Sequence, residues 1–324
     1  MTSLHVPGKV ILAGEYAVMR SGGYALVAAI DRGVAVEIRD ADLDGAALLR
    51  FESVHVSVHI ESGRAIWKTT PPAELVFAAA GFECAVSHGA TLENAVITFA
   101  SQVIMDGRKL GLGGSAAMLV AGFRSAGGTI DRPDIVRDLA ATHRRLQGGR
   151  GSGVDVAACA LGGLLRVTND AGGPLVTRLS LPADLRILLG WTGMPASTSA
   201  LIDAVAAYAQ RDPHGHACRL EDLASAEEKL ARALIAGDRE NILAAVETGG
   251  DAARQLGVGA GTAIETAALT ALRRAARLAG CAAKSSGAGG GDCGVVFCFG
   301  EEAREEAAVH VRAAGLVPIP VGIA

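Results

Sequence analysis

The chain has 324 residues, of which 50% are hydrophobic and 20% are charged, so it can form a large core and is not a disordered chain. Its formal net charge of −4 argues against a general nucleic-acid-binding protein. The 42 glycines are about twice the usual share of roughly 7%, and their clustering indicates that particular backbone sites require them.

The cysteines and the N-terminal sequence indicate the compartment. None of the six cysteines has CxxC spacing, and the chain is not a short secreted scaffold, so we expect reduced thiols. The N-terminal residues lack a charged segment followed by an apolar stretch, and no signal peptide is expected. Apolar runs end well before the roughly 18 residues of a membrane helix. We therefore expect a cytoplasmic protein without a membrane partner.

Strand patterns dominate residues 4–60. Residues 53–60 alternate strictly, with Val54, Val56, Val58 and Ile60 on one face and serine and histidine on the other. This pattern is typical of a half-solvated antiparallel strand. His55 and His59 would lie roughly 13 Å apart on such a strand, too far to share one metal ion. We interpret the polar face as solvent-exposed.

The rest of the chain combines helical spacing with short apolar strands. Residues 73–81 and 91–105 are compatible with either structure. The patterns predict helices over residues 115–126, 134–146, 225–256, 262–278 and 301–314. They predict strands over residues 164–167, 185–191, 281–284, 293–299 and 316–321. The predicted strands dominate the first part of the chain and the predicted helices the later part. This order favours an α+β fold over a doubly wound sheet, in which strands and helices alternate.

A domain boundary is predicted near residue 180. It would fall between a glycine- and proline-containing turn at residues 170–174 and the strand predicted to begin at residue 185. The sequence contains no internal repeat and no low-complexity linker that would mark another boundary. We therefore expect one domain over residues 1–180 and a second over residues 181–324.

A glycine-rich loop, KLGLGGSAA at residues 109–117, leads directly into a predicted helix. Its glycines allow backbone N–H groups to approach a ligand, and Ser115 lies in the first helical turn, where the helix dipole favours an anion. This combination suits nucleotide phosphates, although a tight turn at a helix start is the alternative. The residues of the predicted phosphate loop are Lys109, Gly111, Leu112, Gly113, Gly114, Ser115 and Ala116.

Three further segments carry candidate chemistry. Lys9 begins an apolar strand, where it could face phosphoryl oxygens or solvent. Residues 287–291 contain four glycines between two apolar strands, more than a hairpin needs, which suggests close approach of the backbone to a ligand. Asp155 follows the glycine-rich residues 148–153, either as a functional carboxylate or as a helix cap.

These segments resemble the three motifs of the GHMP kinases, a family named for galacto-, homoserine, mevalonate and phosphomevalonate kinases. The motifs match in order at residues 7–16, 111–117 and 286–293. The resemblance implies two α+β domains with the active site in the cleft between them. It also implies an ATP-dependent phosphotransferase with Mg²⁺ beside Ser115. One departure is Gly114, where the family usually has serine, which removes one polar contact to the nucleotide.

Within the family, the chain resembles the branch that converts 5-phosphomevalonate to 5-diphosphomevalonate in the mevalonate route to isoprenoids. The likeness rests on residues 14–16, Lys109, residues 143–155 and Asp292. It implies that Lys9 stabilises the transferred group and that Asp155 orients Lys9 or the substrate, or acts as a base if the acceptor is an alcohol. The implied substrate-binding residues are Glu15, Tyr16, His143, Arg144, Gln147, Arg150, Ser152, Ser286, Gly287, Gly289, Gly290 and Asp292.

Three alternatives remain open at this point. The chain could be another GHMP kinase, for mevalonate or homoserine, or an ATP-dependent decarboxylase, which would release CO₂ and orthophosphate. It could also be a ligand-sensing member without activity, although the presence of Lys9, Ser115 and Asp155 speaks against this. In each case the expected partner is a small molecule, with a monomer or homodimer as the assembly.

Overall fold

Two β-sheets packed against helices organise the chain, which is described here from a computed structural model covering residues 1–105, 107–170 and 173–324. The strands are β1 (Thr2–Ala13), β2 (Tyr24–Asp40), β3 (Ala46–Phe51), β4 (Val54–Glu61), β5 (Arg64–Trp67), β6 (Ala95–Ser101), β7 (Ile104–Met105), β8 (Arg108–Lys109), β9 (Leu164–Asp170), β10 (Gly173–Leu179), β11 (Leu185–Trp191), β12 (Ala282–Ser285), β13 (Cys293–Phe299) and β14 (Val317–Val321). The helices are α1 (Val76–Ser87), α2 (Gly114–Ser125), α3 (Pro133–Leu146), α4 (Val154–Leu161), α5 (Thr198–Arg211), α6 (Pro213–Ala236), α7 (Arg239–Ala260), α8 (Ala267–Leu278) and α9 (Glu301–Ala313).

The larger sheet has eight strands in the order β10-β9-β2-β6-β3-β4-β5, with β1 paired to β2 outside this path. Most of its pairs are antiparallel, whereas β3 and β6 run parallel. The smaller sheet has the order β12-β13-β11-β14, and β7 pairs with β8 in a separate hairpin. The combination of helices with largely antiparallel sheets confirms the predicted α+β class.

Strand β1 contributes to the cores of both sheets. Val6 and Ile11 belong to the apolar cluster beneath the larger sheet. Val10 and Leu12 belong to a second cluster, which continues into β11 and β13 of the smaller sheet. The register of β1 against β2 shifts between Pro7 and Gly8, because Pro7 pairs with Gly33 and Gly8 with Ile30. The extra residues lie on β2, which therefore bulges at this point. Lys9 follows the shift.

Most of the predicted elements are confirmed, including the strands flanking residues 286–292 and the helix after the glycine-rich loop. The ambiguous residues 73–81 fall largely in α1, and residues 91–105 contain β6. The single helix predicted over residues 225–256 is wrong. Gly237 adopts a left-handed φ of 66° and ends α6, and Asp238 then caps α7 by accepting a hydrogen bond from the backbone N–H of Asn241.

The pattern analysis missed α5 and β10, and α6 begins earlier than predicted. Residues 171 and 172 of the predicted turn lie outside the described residues. The boundary expected near residue 180 stays a prediction; it falls between β10 and β11, where the chain passes from the larger sheet to the smaller one. Within the described residues, no helix is both long and apolar enough to span a bilayer.

Two glycines let α1 and α2 pack with their backbones in contact. A Cβ atom on Gly122 of α2 would lie 1.9 Å from the carbonyl oxygen of Ala78, and one on Gly81 of α1 would lie 1.9 Å from that of Leu119. Neither carbonyl can move without disturbing its helix. Because α2 begins at the glycine-rich loop, this contact fixes the position of the loop over the sheet.

We expect Gly122→Ala to lower the free energy of unfolding by about 1–3 kcal/mol, because overpacking outweighs the gain in helix propensity. The matched control is Gly249→Ala in α7, where the nearest atom to the new Cβ would be Lys284 Cε at 3.5 Å. This substitution should be neutral or stabilise by up to about 1 kcal/mol. Urea unfolding of both variants tests the contact, and equal stabilities would contradict it.

Candidate active site

The side chain of Lys9 lies at the centre of the candidate site. After the register shift between β1 and β2, the backbone N–H of Lys9 donates to the carbonyl of Leu112 at 2.9 Å, which joins β1 to the glycine-rich loop. Lys9 is only 7% exposed, and its Nζ lies 3.4 Å from Asp155 Oδ1. The lysine predicted to face either phosphate or solvent is therefore buried and paired with a carboxylate.

The glycine-rich loop is shaped by what lies against it. Gly113 has a left-handed φ of 79°, and a Cβ there would lie 2.7 Å from Lys9 Cγ. Gly111 has φ 75°, and its Cβ would lie 2.7 Å from Asp292 Oδ2. Both glycines are therefore required by backbone conformation and by space. Side chains of the first and third motifs approach the second motif here.

Helix α2 presents its N-terminus at this loop. Gly113 is the N-cap residue and has no side chain to cap the helix, and the first turn carries no acidic residue. The N–H groups of an uncapped first turn lack intrahelical partners and favour an anion. Ser115 adds a hydroxyl in the same turn. This arrangement can bind a phosphate group, and the hydroxyl oxygen is a donor that fits Mg²⁺.

Asp155 lies in the first turn of α4, beyond the N-cap residue Gly153, whose left-handed φ is 76°. The interpretation of Asp155 as a helix cap is therefore not supported. Its carboxylate is directed to Lys9 and remains 38% exposed, whereas the lysine side chain is 8% exposed. A half-exposed carboxylate beside a buried ammonium group can both orient that group and contact a substrate.

The third motif is tied to the first by two hydrogen bonds. The backbone N–H of Ile11 donates to Ser286 Oγ at 3.0 Å, and Tyr16 Oη donates to the carbonyl of Ala288 at 2.7 Å. Burial raises the pKa of Tyr16, so its hydroxyl keeps the proton that it donates. Ser286 and Tyr16 were both predicted to bind substrate, and in the structure they hold the loop of the third motif in place.

The glycines of the third motif mostly approach protein rather than open space. A Cβ on Gly289 would lie 2.3 Å from the carbonyl of Ile264, and one on Gly290 would lie 2.7 Å from Leu201 Cδ1. A Cβ on Gly291 would lie 2.5 Å from the carbonyl of Met194, whereas nothing lies within 4 Å at Gly287. Tight packing against the protein therefore accounts for Gly289 and Gly290, and their contact with a substrate stays a prediction.

Asp292 closes the third motif and connects it to the turn before α5. Its φ is 48°, an uncommon value for a residue other than glycine. Its N–H donates to the carbonyl of Met194 at 2.8 Å, and its Oδ1 accepts from the N–H of Ala196 at 3.1 Å. Burial raises the pKa of Asp292, and the charges of Lys9 and Lys109 oppose that effect. The carboxylate therefore lies near both lysines.

Glu15 and Lys284 form a buried ion pair. Lys284 Nζ lies 2.5 Å from Glu15 Oε1, and the two side chains are 1% and 3% exposed. Lys284 also donates to the carbonyl of Ser285 at 2.6 Å. Glu15 was expected to bind substrate, but this pairing makes it a link between β1 and β12. A lysine inside an otherwise small and apolar strand is the signal that could have identified Lys284.

The basic residues at positions 143, 144 and 150, which were expected to bind substrate, have protein partners. Burial lowers the pKa of His143, whose Nε2 lies 3.0 Å from Ser115 Oγ, so this ring is a neutral partner of the serine rather than a cation. Arg144 Nε donates to the carbonyl of Gly151 at 3.0 Å. Arg150 pairs with Asp203 of α5 at 3.0 Å on the surface. Asp203 was not identified from the sequence.

The remaining predicted residues lie around the same loops. Gln147 Nε2 donates to Ser115 Oγ at 3.5 Å. Ser152 Oγ accepts from the backbone N–H of Val154 at 3.4 Å, which braces the turn before α4. Lys109 is exposed on β8. Its neighbour Arg108 donates to the carbonyl of Gly193 at 2.8 Å and joins this hairpin to the turn before α5.

Comparison with known proteins agrees with this arrangement of motifs. The family model for the GHMP kinases N terminal domain matches residues 74–163, and that for the GHMP kinases C terminal matches residues 230–316. A phosphomevalonate kinase from Streptomyces sp. (strain CL190) is 30% identical, over 98% of this chain and 96% of the relative. The chain belongs to the GHMP kinase family. It is accordingly a phosphotransferase, and the predicted family and enzyme class are confirmed.

Other relatives agree on the fold. A mevalonate kinase from Thermococcus sibiricus is 27% identical over 97% of this chain and 93% of the relative. A Lin0012 protein from Listeria innocua superposes with a TM-score of 0.89 at 26% identity, covering 99% of this chain and 97% of that one. A Streptococcus pneumoniae phosphomevalonate kinase, in complex with phosphomevalonate and AMPPNP, gives 0.79 at 20% identity, covering 99% and 100%.

We expect Lys284→Met to lower the free energy of unfolding by about 3–5 kcal/mol, because Glu15 would be left as an uncompensated buried charge. The double variant Glu15→Leu/Lys284→Met removes both charges and should recover most of that loss. Urea unfolding of the two variants measures the difference. A single variant as stable as the wild type would show that the pair is not needed to neutralise Glu15.

Proposed function

We propose that the chain transfers the γ-phosphoryl group of ATP to 5-phosphomevalonate and so forms 5-diphosphomevalonate and ADP. The observation that carries the proposal is the buried ammonium group of Lys9, which lies against the glycine-rich loop and 3.4 Å from Asp155. The full-length similarity to a phosphomevalonate kinase supports the choice of acceptor. This step belongs to the mevalonate pathway of isoprenoid synthesis.

The nucleotide phosphates would bind at the N-terminus of α2. The uncapped first turn after Gly113 offers N–H groups, and Ser115 offers an oxygen for Mg²⁺. In the described residues, no group of three or more histidine, cysteine, aspartate or glutamate side chains could hold a metal. Mg²⁺ at such sites usually keeps several water ligands and binds the phosphate oxygens of the nucleotide. Bound there, Mg²⁺ would neutralise charge on the phosphate groups.

Lys9 supplies the charge that the transfer needs most. Phosphoryl transfer depends on positioning and charge neutralisation more than on covalent chemistry. A phosphate acceptor is already largely ionised at neutral pH, since its second pKa is about 6. It therefore needs little help from a base. Asp155 then acts mainly by holding the ammonium group of Lys9 in position.

A second candidate function is phosphorylation of an alcohol such as mevalonate. The observation that favours it is the exposed part of the Asp155 carboxylate, which an alcohol acceptor would require as a general base. The similarity to a mevalonate kinase from Thermococcus sibiricus agrees with this alternative. The two functions differ in the acceptor that they use and in the role of Asp155.

We expect ADP release with 5-phosphomevalonate to be at least about tenfold faster than with mevalonate, a difference of roughly 1.4 kcal/mol in activation free energy. A coupled assay over mevalonate, 5-phosphomevalonate, 5-diphosphomevalonate, homoserine and galactose measures this preference. Equal or faster turnover of mevalonate would reject the proposed acceptor and leave the family assignment intact. Release of CO₂ and orthophosphate from 5-diphosphomevalonate would instead indicate a decarboxylase.

We expect Lys9→Met, nearly isosteric but uncharged, to lower kcat by roughly 10²–10³-fold, because one well-placed cation contributes about 3–4 kcal/mol in the transition state. Asp155→Asn should cost less, because an asparagine can still orient the lysine. Both variants are measured with 5-phosphomevalonate across pH. A near-wild-type rate for Lys9→Met would contradict the role of Lys9. If Asp155→Asn costs as much and removes an acid limb, Asp155 is the general base.

A further inference from the structure

Two side chains from one turn of α3 converge on the hydroxyl of Ser115. His143 Nε2 lies 3.0 Å from Ser115 Oγ, and Gln147 Nε2 lies 3.5 Å from the same oxygen. Residues four apart at the end of a helix lie on one face, so these side chains act together. Ser115, in the first turn of α2, is thus contacted by two side chains from the C-terminal end of α3.

The imidazole of His143 is fixed in place. The residue is 5% exposed, and its ring lies 5.4 Å from the ring of Phe77 in α1, centroid to centroid, at an interplanar angle of 42°. A ring that is buried and packed in this way has little freedom to turn toward a substrate. Its polar contact with Ser115 is consequently a constant feature of the site.

The direction of the hydrogen bond follows from the donors around His143. The amide nitrogen of Gln147 lies 3.4 Å from His143 Nε2, and an amide NH₂ group is a donor. The serine hydroxyl is the second group at this nitrogen. A nitrogen that faces an amide donor is an acceptor, which leaves the ring proton on Nδ1. The single lone pair of Nε2 goes to the shorter contact, the Ser115 hydroxyl at 3.0 Å, because the Gln147 amide lies farther away, 3.4 Å from Nε2 and 3.5 Å from Ser115 Oγ. The Ser115 hydroxyl therefore donates its hydrogen bond to Nε2.

This direction matters for a cation. A hydroxyl that donates its hydrogen bond to His143 presents only oxygen lone pairs to its remaining surroundings. With the opposite direction, the hydroxyl proton would be free to point toward the cation and repel it. Hydrogen-bond partners of metal ligands orient those ligands in other proteins, and removal of such a partner costs about 10–100-fold in metal affinity.

We infer that His143 is a positioning residue, which accepts a hydrogen bond from the Ser115 hydroxyl and thereby turns the Oγ lone pairs toward the Mg²⁺ of the bound nucleotide. The inference rests on the proposed function in one respect, namely that a magnesium nucleotide is the ligand of the loop. It gives His143 a role at the nucleotide end of the site instead of the expected contact with the substrate.

The test compares three substitutions of His143. His143→Phe keeps an aromatic ring against Phe77 and removes the acceptor. His143→Gln removes the ring and keeps an amide oxygen that can reach the serine. His143→Asn is polar, but its amide is too short to reach Ser115. Calorimetry measures the affinity of each variant for ADP, with Mg²⁺ and with EDTA, so catalysis does not enter the readout.

We expect the Phe and Asn variants to lose about 10–100-fold of the ADP affinity measured with Mg²⁺ and to keep the affinity measured with EDTA. The Gln variant should stay within about threefold of the wild type in both conditions, since it keeps the acceptor. Ser115→Ala should lose a similar increment. Adding His143→Phe to Ser115→Ala should then cost nothing more, because the two residues act as one unit.

Several results would overturn the inference. One is an unchanged affinity for ADP with Mg²⁺ in His143→Phe or His143→Asn, the two variants that lack the acceptor. The Asn variant gives this answer even if the Phe variant does not fold. Another is additive loss in the double variant. If 5-phosphomevalonate is not turned over but the variants lose ADP affinity as expected, only the proposed acceptor is rejected, and the role of His143 stands. A wild type whose ADP affinity is indifferent to Mg²⁺ would reject the inference itself.

Discussion

The candidate site depends on burying one ammonium group beside the glycine-rich loop for which we propose phosphate binding. An unpaired charge in such a position is costly, so the surrounding residues must compensate it. Asp155 pairs with Lys9 directly, and the carboxylate of Asp292 lies within its electrostatic reach. The register shift beside Pro7 precedes the lysine, and the glycine at position 113 leaves the space that the lysine side chain fills against the loop.

A second buried charge pair extends the same logic along β1. Glu15 and Lys284 join the end of this strand to β12, which leads into the third motif. The hydrogen bonds from Ile11 and Tyr16 reach the same loop. The motifs are separated by about a hundred residues or more in the chain, and these contacts are what make them one site. These contacts hold the three motifs in position relative to one another.

Much of the fold was predictable because periodicity and turn residues are local properties. The loop at residues 109–117 and the helix after it were identified from glycines and apolar spacing. What glycines pack against is not local, so Gly289 and Gly290 were assigned to a ligand and in fact contact Ile264 and Leu201. The same limit applies to His143, because a sequence does not show which side chain its ring will meet.

The placement of β1 has a consequence for local opening. Val6 and Ile11 help to fill one core, and Val10 and Leu12 help to fill the other, so the strand is buried on both faces over most of residues 6–13. Detachment of this part of β1 would expose apolar surface in both clusters at once, which makes it a costly local opening. Lys9 lies in this part of the strand, so its ammonium group stays in place as long as both cores remain packed.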